Sequence, residues 1–597
     1  MLDLGISKTR NIRRQSSNKR VAPRKMIYVV YSLIVLLGIG VVVFLYRWQV
    51  VMYAKFKALA MNVTNNIEVL SSHRGSIYTS DGTVVAMDKL STRLYVSVVY
   101  PKDMDALREK IPQLFEYLVN NKIMTKKQAD EYIKKIQNAE TLPYFILVDD
   151  VPDYQVDSIK NLIKDKRISG VYIKQYYKRI YPLETNMASV LGFVSKNPDS
   201  LKGLYGVEGY FWSDIKGREG KVVKQATKQG NLVISGQYKL LQAKEGKNIV
   251  LTINLAIQQK VEKWLKQGVE KYKAKAGAVI VMNPKTGEIL AMASYPTYDP
   301  NKYWQIKDYD TYQNKAVSYV YEYGSVQKPL TIAIALQEKK IKKDYKCYDN
   351  GVLKVLDRKI YNWEYKRYGL LDLSHILRYS DNVCSGTIAL KLTPKIFYDY
   401  LTRLGLGSLT NIGLLEEETG YLKPYDKWNK VDLAVTGFGQ MVTATPLQVI
   451  TAHSTLANDG VRMHPLLIKK VFDNDSSIEF SPTVADTIFS KDVAQYVRKI
   501  MYQASSGVGY LGVLGKKYKI AGKTGTAQIA KQDGVGYEED EVNSTFVGFA
   551  PYDDPQVIML VMLIRPEKKK LASYTVVPMW RDIFNDIKDD LRLVPSY

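Results

Sequence analysis

The sequence predicts an α+β fold that follows a single transmembrane helix. Residues 26–46 form an uncharged apolar run of 21 residues, enough to cross about 30 Å of hydrocarbon as a helix. Strand-like runs lie at both ends of the second half of the chain, within 277–293 and 546–564, and residues 329–456 between them are mainly helical in pattern. An antiparallel sheet built from both ends of a domain and flanked by helices is an α+β plan.

The charge around the apolar run predicts its orientation. Eight basic residues and one acidic residue, Asp3, lie in residues 1–25, and the positive-inside rule places this tail in the cytoplasm and the rest of the chain outside. A cleaved signal peptide is the alternative. Its apolar core would be about 7–15 residues long, and the small-residue triplet Ala58-Leu59-Ala60 lies far downstream. We therefore expect an uncleaved single-pass anchor in the cell membrane.

The basic composition leaves several partner classes open. The chain has 85 basic and 60 acidic residues, a formal charge of +25, to which the tail contributes +7. Such a balance is common in nucleic-acid-binding proteins, but a membrane tail, anionic lipids, wall polymers or solubility explain it as well. Because the membrane anchor accounts for the most basic segment, we predict no nucleic-acid partner.

Changes in residue pattern divide the chain into four parts. We assign residues 1–25 to the basic tail, 26–46 to the anchor, 47–245 to a stalk and β-rich pedestal, and 246–597 to a larger C-terminal domain. The last boundary follows a glycine-containing stretch, Gln229 to Lys247, that lacks sustained apolar runs. The whole would be an elongated, membrane-anchored protein.

Within the pedestal the hydrophobic period changes several times. A helical stalk is expected to about Leu70, paired strands over 74–100, lysine-rich helices over 103–166, and short strands with glycine turns over 171–225.

Cysteines and histidines indicate no metal site. Cys347 and Cys384 are the two cysteines, and we expect separate buried thiols, with a disulfide as the alternative. The four histidines show no metal-ligand spacing, so neither a zinc site nor a Ser-His-Asp triad is supported. A serine activated by a lysine is then the more attractive nucleophile.

Ser325 and Lys328 are the first candidates for catalysis. They lie three residues apart at a predicted helix start, so their side chains can converge on one helix face. A desolvated lysine can accept the proton of a serine hydroxyl. Taken alone, this spacing is common, and a helix-capping serine beside a surface lysine is the better explanation of it.

Two later motifs complete a known set. Ser380-Asp381-Asn382 follows a helical run, and Lys523-Thr524-Gly525-Thr526 lies in a strand-like stretch. The order S-x-x-K, S-D-N and K-T-G is the signature of penicillin-binding proteins and class A β-lactamases. Residues 74 to about 590 resemble a class B penicillin-binding protein, which is a membrane-anchored peptidoglycan D,D-transpeptidase. A class A protein would carry a glycosyltransferase domain, and nothing in 47–245 resembles one.

The resemblance extends to motifs outside the site. It includes several pedestal and transpeptidase motifs of the family: Arg74-Gly75, Asp81-Gly82, Arg179-Ile180-Tyr181-Pro182, Gly203 to Gly209, Thr286-Gly287-Glu288, Gly439-Gln440, Thr445-Pro446-Leu447-Gln448 and Gly548-Phe549-Ala550-Pro551. We expect Arg74, Arg179 and Glu208 to organise the pedestal.

The resemblance also implies roles for the motif residues. Ser325 would attack the penultimate D-alanine of a stem pentapeptide, with Lys328 as its base. Ser380 would relay a proton to the leaving amine, and Asn382 would hold Lys328 and the substrate amide. For Asp381, a surface or helix-capping role is as open as a role in the site.

Substrate binding is implied for the third motif. Lys523, Thr524, Gly525 and Thr526 would receive the substrate's terminal carboxylate, and the backbone amides of Ser325 and Thr526 would form the oxyanion hole. The resemblance implies no metal or organic cofactor. Tyr323, Val326 and Gln327 depart from the family pattern, which questions substrate fit and β-lactam affinity more than chemistry.

The implied partners are peptidoglycan stem peptides, β-lactams, a polytopic membrane glycan polymerase and divisome proteins. We favour the division type over the elongation type. The alternatives are a D,D-carboxypeptidase or β-lactamase-type hydrolase, a β-lactam sensor, and a non-catalytic division scaffold. A sensor would need more membrane helices than the one visible.

Overall fold

The computed structural model describes most of the chain. The described residues are 24–56, 65–70, 72–195, 201–225, 239–506, 509, 511–531 and 536–595. Their contacts define two compact units, Met1–Leu70 with Gly220–Gln242, and Ser71–Glu219 with Ala243–Tyr597.

The smaller unit contains the membrane-anchor candidate. A helix over Arg24–Tyr46 continues as a π-helical segment, Arg47–Val51. Its stretch Tyr28–Val51 has a mean hydropathy of 2.7 and is wholly unburied, so it is long and apolar enough to span a membrane. Residues 1–23 of the predicted tail lie outside the described residues.

The end of the predicted stalk is not helical. Asn65–Leu70 forms a strand that pairs antiparallel with Gly220–Gln225, which in turn pairs with Lys239–Leu241. Pairing with a distant segment has overridden the local pattern, so the helical prediction to about Leu70 is wrong at these residues.

In the larger unit, the pedestal is organised around one long strand, Val84–Val98. It pairs antiparallel with Leu142–Val151 and with Val171–Ile180. Its inward side chains Leu94, Val96 and Val98 are buried in a cluster beneath three helices: Pro101–Asn120, Lys126–Asn138 and Asp153–Asp165. The strand Leu142–Val151 corrects the prediction of helices throughout 103–166, because its aromatic and branched residues favour a strand.

The pedestal sheet continues into residues beyond 245. Val84–Val98 pairs with Ile77–Tyr78, followed in order by Asn248–Leu251, Ile468–Phe472 and Ser477–Glu479. Short elements complete this part of the chain, namely Ala188–Leu191, Phe193–Val194, Gly203–Leu204, Gly206–Tyr210 and Trp212–Ile215.

Buried ion pairs connect segments of the pedestal that are far apart in the chain. Arg179 Nε donates to Glu208 Oε1 at 2.6 Å and its Nη1 donates to the Gly75 carbonyl at 2.8 Å. Arg74 Nε donates to Asp88 Oδ1 at 2.8 Å. All four charged side chains are buried, which fits the structural role that the sequence predicts for Arg74, Arg179 and Glu208.

The C-terminal domain is built on a five-stranded antiparallel sheet. Its strands are β1 (Ala276–Met282), β2 (Ile289–Tyr295), β3 (Ala521–Ala530), β4 (Tyr537–Ala550) and β5 (Val557–Ile564), in the order β2-β1-β5-β4-β3. The predicted hairpin is the β1–β2 pair, with Val281 opposite Ala291. This sheet, made from both ends of the domain, confirms the α+β prediction.

Successive side chains of the sheet point to opposite faces, and helices cover both faces. Val279 and Val281 pack with the helices Leu255–Tyr272 and Val576–Ile587, whereas Ala278, Ile280 and Met282 belong to the core on the other face. The larger helices on that second side are α1 (Lys328–Gln337), α2 (Leu373–Tyr379), α3 (Asn382–Ala389), Pro394–Arg403, Pro446–Ala457 and Lys491–Ser505.

Small elements connect these helices. The helical ones are Lys315–Ser318, Lys430–Thr436 and Gly512–Lys517, with 3₁₀ turns at Pro300–Gln305, Tyr309–Tyr312, Gly324–Gln327, Trp363–Tyr365, Tyr425–Lys427 and Ala572–Tyr574. The short strands are Tyr321–Glu322, Lys346–Asp349, Val352–Val355, Arg358–Tyr361, Gly369–Asp372, Tyr421–Leu422, Val442–Ala444, Val461–Met463 and Val484–Thr487.

Replacing Glu208 should destabilise the pedestal. The substitution Glu208→Ala leaves the Arg179 guanidinium buried without its closest carboxylate, and we expect the free energy of unfolding to fall by about 3 kcal/mol or more. The exposed pair Asp157–Lys160 provides a matched control, since Asp157→Ala should change stability by less than about 0.5 kcal/mol. Denaturant unfolding of the full chain in detergent measures both, and equal stabilities for the two variants would contradict the prediction.

Candidate active site

Ser325 lies on a tight turn in front of a buried helix. Residues Gly324–Gln327 form a 3₁₀ turn, and α1 begins only at Lys328. Gly324 has a positive φ of 57° and donates its N–H to the Gly439 carbonyl at 3.1 Å, which holds the turn against a neighbouring loop. Ser325 is half-buried at the surface of this turn.

Lys328 is fully buried among oxygen acceptors. Its Nζ donates to Asn382 Oδ1 at 2.8 Å and to the Ser380 carbonyl at 2.5 Å, and Ser380 Oγ lies 3.2 Å from it. Burial, together with the nearby positive charge of Lys523, lowers the pKa of Lys328 well below its usual value. The amine is therefore available in its neutral form, as a general base requires.

Ser325 and Lys328 are not hydrogen-bonded to each other. Ser325 Oγ forms no hydrogen bond with any group that the structure describes, and the Lys328 amine is turned toward the second motif. The Lys328 amine is instead bonded to Ser380 and Asn382, on elements that the spacing of Ser325 and Lys328 does not include. In unliganded enzymes such hydrogen bonds often form only when substrate binds.

Ser380 lies between two lysines. Lys523 Nζ donates to Ser380 Oγ at 3.0 Å and to the Thr524 carbonyl at 2.8 Å, and burial lowers the pKa of Lys523 to about 7. Ser380 ends α2 with a left-handed backbone, φ 54°, which turns the chain sharply toward α3. The structure thus joins Lys328, Ser380, Asn382 and Lys523 into one hydrogen-bonded group.

Asp381 is a buried helix cap and not a surface residue. Its side chain accepts from the Cys384 N–H at 2.6 Å and from Asn362 Nδ2 at 2.9 Å, and burial raises its pKa to about 6. Asn362 also accepts from the Asn382 N–H at 2.7 Å. No local pattern identifies Asn362, because its role depends on a hairpin that returns to this motif.

Cys347 and Cys384 form a disulfide, with their Cα atoms 5.9 Å apart, so the expectation of two separate thiols is wrong. The residues are 37 positions apart, and their proximity arises from tertiary structure. Asn362 Nδ2 donates to Asp349 Oδ2 at 2.9 Å as well as to Asp381, which brings the strand Lys346–Asp349 beside α3. The disulfide holds α3, the helix that carries Asn382, against the strand Lys346–Asp349.

Strand β3 passes directly against the Ser325 turn. A Cβ atom at Gly525 would lie 2.7 Å from both the Tyr323 carbonyl oxygen and Val326 Cγ2. Only glycine therefore allows the strand to pass this close to the turn. β3 is also the edge strand of its sheet. Thr524 and Thr526 are half-buried, and Thr526 lines a cavity of about 480 Å³ beside the turn.

Tyr323 and Gln327, which both depart from the family pattern, are hydrogen-bonded to each other. Tyr323 Oη donates to Gln327 Oε1 at 2.8 Å, and Gln327 Nε2 donates to Thr331 Oγ1 at 3.3 Å, all within the core. Val326 has its carbonyl 2.9 Å from His453 Nε2. All three side chains are buried, so the departures from the family pattern support the turn from beneath.

A nucleophile-bearing turn, a buried lysine and an edge strand on this sheet define the class of serine enzymes that use a lysine base. A family model of the penicillin-binding protein transpeptidase domain matches residues 277–587, and one of the penicillin-binding protein dimerisation domain matches residues 69–251. The chain therefore belongs to the penicillin-binding protein transpeptidase family, and its domain pair confirms the predicted class B type.

Named relatives agree with this membership. Stage V sporulation protein D of Bacillus subtilis is 28% identical over 588 residues, covering 97% of this chain and 87% of that protein. Peptidoglycan D,D-transpeptidase FtsI of Buchnera aphidicola is 31% identical, covering 72% of this chain and 73% of that protein. Penicillin-binding protein 2X of Streptococcus thermophilus has the same fold, with a TM-score of 0.69 at 22% identity over 88% of this chain and 80% of that one.

Removing one partner of the Tyr323–Gln327 pair should cost more than removing both. Gln327→Leu leaves the buried Tyr323 hydroxyl without an acceptor, a loss of about 1–3 kcal/mol, whereas Thr331 keeps its bond to the Gly437 carbonyl. The double variant Tyr323→Phe/Gln327→Leu should recover part of this stability. Unfolding free energies of the wild type, Tyr323→Phe, Gln327→Leu and the double variant test the coupling, and strictly additive losses would exclude it.

Proposed function

We propose that this protein is a peptidoglycan D,D-transpeptidase in which Ser325 forms the acyl-enzyme and β-lactams acylate the same serine. The observation that carries the proposal is the burial of Lys328, whose amine is held neutral against Ser380 and Asn382. Family membership and relatives named as peptidoglycan D,D-transpeptidases support the substrate class.

Acylation follows from this arrangement. Neutral Lys328 takes the proton of Ser325 Oγ, and the oxygen attacks the carbonyl carbon of the penultimate D-alanine. The amide C–N bond then breaks, and the leaving D-alanine amine receives a proton through Ser380, which lies within hydrogen-bond distance of both lysines. The backbone amides of Ser325 and Thr526 stabilise the tetrahedral oxyanion.

Deacylation forms the cross-link. The amine of a neighbouring stem peptide attacks the ester carbonyl and the ester C–O bond breaks, while the amine proton passes through the Lys328–Ser380 pair to Ser325 Oγ. Before acylation, Lys523, Thr524 and Thr526 bind the donor's terminal carboxylate, which leaves with the released D-alanine, and Gly525 permits the close approach of β3 to the turn. Asn382 orients Lys328 and the donor amide.

The proposal also covers the location of the protein in the membrane and its protein partners. The helix Tyr28–Val51 anchors the chain with its N-terminus in the cytoplasm and its catalytic domain outside, and the stalk and pedestal occupy residues 47–245 ahead of the catalytic domain at 246–597. A polytopic membrane glycan polymerase and divisome proteins are the expected partners. The relatives named FtsI favour the division type.

Covalent labelling tests the nucleophile. The full chain should bind a fluorescent β-lactam covalently, and Ser325→Ala should abolish the label, whereas Ser213→Ala, at an exposed pedestal serine, should not change it. Gel fluorescence after denaturation measures this. An unlabelled wild type, or a label that survives Ser325→Ala, would refute the assignment. Rapid loss of the label would indicate a hydrolase instead.

The pH dependence of acylation tests the base. Because neutral Lys328 is required and its pKa lies well below 10.5, the acylation rate should rise with pH through a midpoint far below that value. Lys523→Met removes the neighbouring positive charge, so the pKa of Lys328 rises and the midpoint should move to higher pH. Stopped-flow acylation measures both profiles, and a wild-type midpoint near 10.5 would exclude Lys328 as the base.

A further inference from the structure

A second cleft lies in the larger unit, at the pedestal. It has a volume of about 420 Å³ and contains none of the residues proposed for catalysis. Its walls come from the strands Leu142–Val151 and Val171–Ile180 and from the turn Pro300–Gln305. Seven lining side chains are tyrosine or tryptophan, six are lysine or arginine, and two are acidic.

The floor of this cleft is rigid. Arg93 Nε donates to Asp149 Oδ1 at 2.8 Å and its Nη1 donates to Tyr144 Oη at 3.0 Å. The guanidinium also lies 4.0 Å above the Tyr176 ring, and Tyr176 Oη donates to the Asp149 carbonyl at 2.5 Å. These contacts fix the aromatic rings before any ligand arrives, which reduces the entropy lost on binding.

Two large aromatic side chains at the cleft stay open to solvent. Trp304 is 48% exposed and Tyr144 is 46% exposed. The turn that carries Trp304 is itself anchored, because Tyr303 stacks on Phe193 with ring centroids 4.0 Å apart. Both rings also contact neighbours, Tyr144 against Tyr95 and Trp304 against Tyr303. The part of each ring that remains exposed suits the apolar C–H face of a sugar ring.

The charges of the cleft add a second requirement for its ligand. Lys174 and Lys216 line it and form no ion pair with other described residues. Lys178, in contrast, pairs with Asp150 at 3.2 Å. The unpaired ammonium groups favour a ligand that carries negative charge along its length.

We propose that this cleft binds an acidic saccharide chain, namely a peptidoglycan glycan strand with its carboxylates, at a site separate from Ser325. This rests on the proposed function, since the strand is the polymer whose stem peptides the protein cross-links. Sugar rings stack on Trp304 and Tyr144, and carboxylates face Lys174 and Lys216. Binding here holds the polymer near the enzyme between successive acylations.

The experiment blocks the catalytic serine first. The full chain in detergent is acylated with a β-lactam, and soluble glycan strands carrying stem peptides are titrated onto it, with binding followed by microscale thermophoresis. Trp304→Ala and Tyr144→Ala should each weaken binding on the order of tenfold, and Lys174→Glu should weaken it in a salt-dependent manner. Tyr154→Ala, at a pedestal tyrosine that is 78% exposed and outside the cleft, should bind as wild type.

β-Lactam labelling of each variant separates the two proposals, because all of them should label Ser325 at the wild-type rate. The cleft proposal is overturned if the acylated wild type does not bind strands, or if Trp304→Ala and Tyr144→Ala bind as tightly as wild type. It is also overturned if dextran sulfate or a thymidine oligonucleotide binds equally well without loss in the aromatic variants, since that result indicates charge alone. An unlabelled wild type would instead contradict the proposed function.

Discussion

The site depends on keeping the amine of Lys328 shielded from water and without a carboxylate partner. A buried ammonium costs several kcal/mol unless it is paired, so the neutral form is favoured as long as no carboxylate approaches. Asp381 is the nearby acid that could reverse this, because its charge raises the pKa of Lys328. Its oxygens are instead occupied by the Cys384 N–H and by Asn362, and its own pKa is raised to about 6 by burial. The surrounding contacts therefore preserve the base.

The hairpin around Asn362 serves this arrangement indirectly. Asn362 uses its amide to bridge Asp349 and Asp381 and its carbonyl to accept from the Asn382 N–H. The Cys347–Cys384 disulfide joins the same two segments covalently. Since Asn382 Oδ1 is one of the acceptors of the Lys328 amine, a loose hairpin would move an acceptor at the centre of the site.

The sequence predicted what depends on motifs and periodicity and missed what depends on tertiary contacts. Residues of all three motifs lie close together, because α1 and α3 pack in one apolar core and β3 is held beside them by its pairing with β4. A Ser325–Lys328 hydrogen bond is not formed, since the Lys328 amine is bonded to Ser380 and Asn382, which only the tertiary fold brings near it. Asn362, the disulfide and the strand Leu142–Val151 were missed because each is defined by a partner far along the chain.

The pedestal and the catalytic domain share structure that the sequence boundary at 245 does not suggest. The pedestal sheet includes Asn248–Leu251 and Ile468–Phe472, and Asn301 both accepts from the Tyr181 N–H at 3.0 Å and donates to its carbonyl at 2.9 Å. This fixed turn also brings Trp304 to the aromatic cleft. Because the cleft needs residues from both parts, it exists only when they are assembled, and an isolated pedestal would lack one wall of it. A ligand of the cleft would therefore bind preferentially to the assembled arrangement and stabilise it.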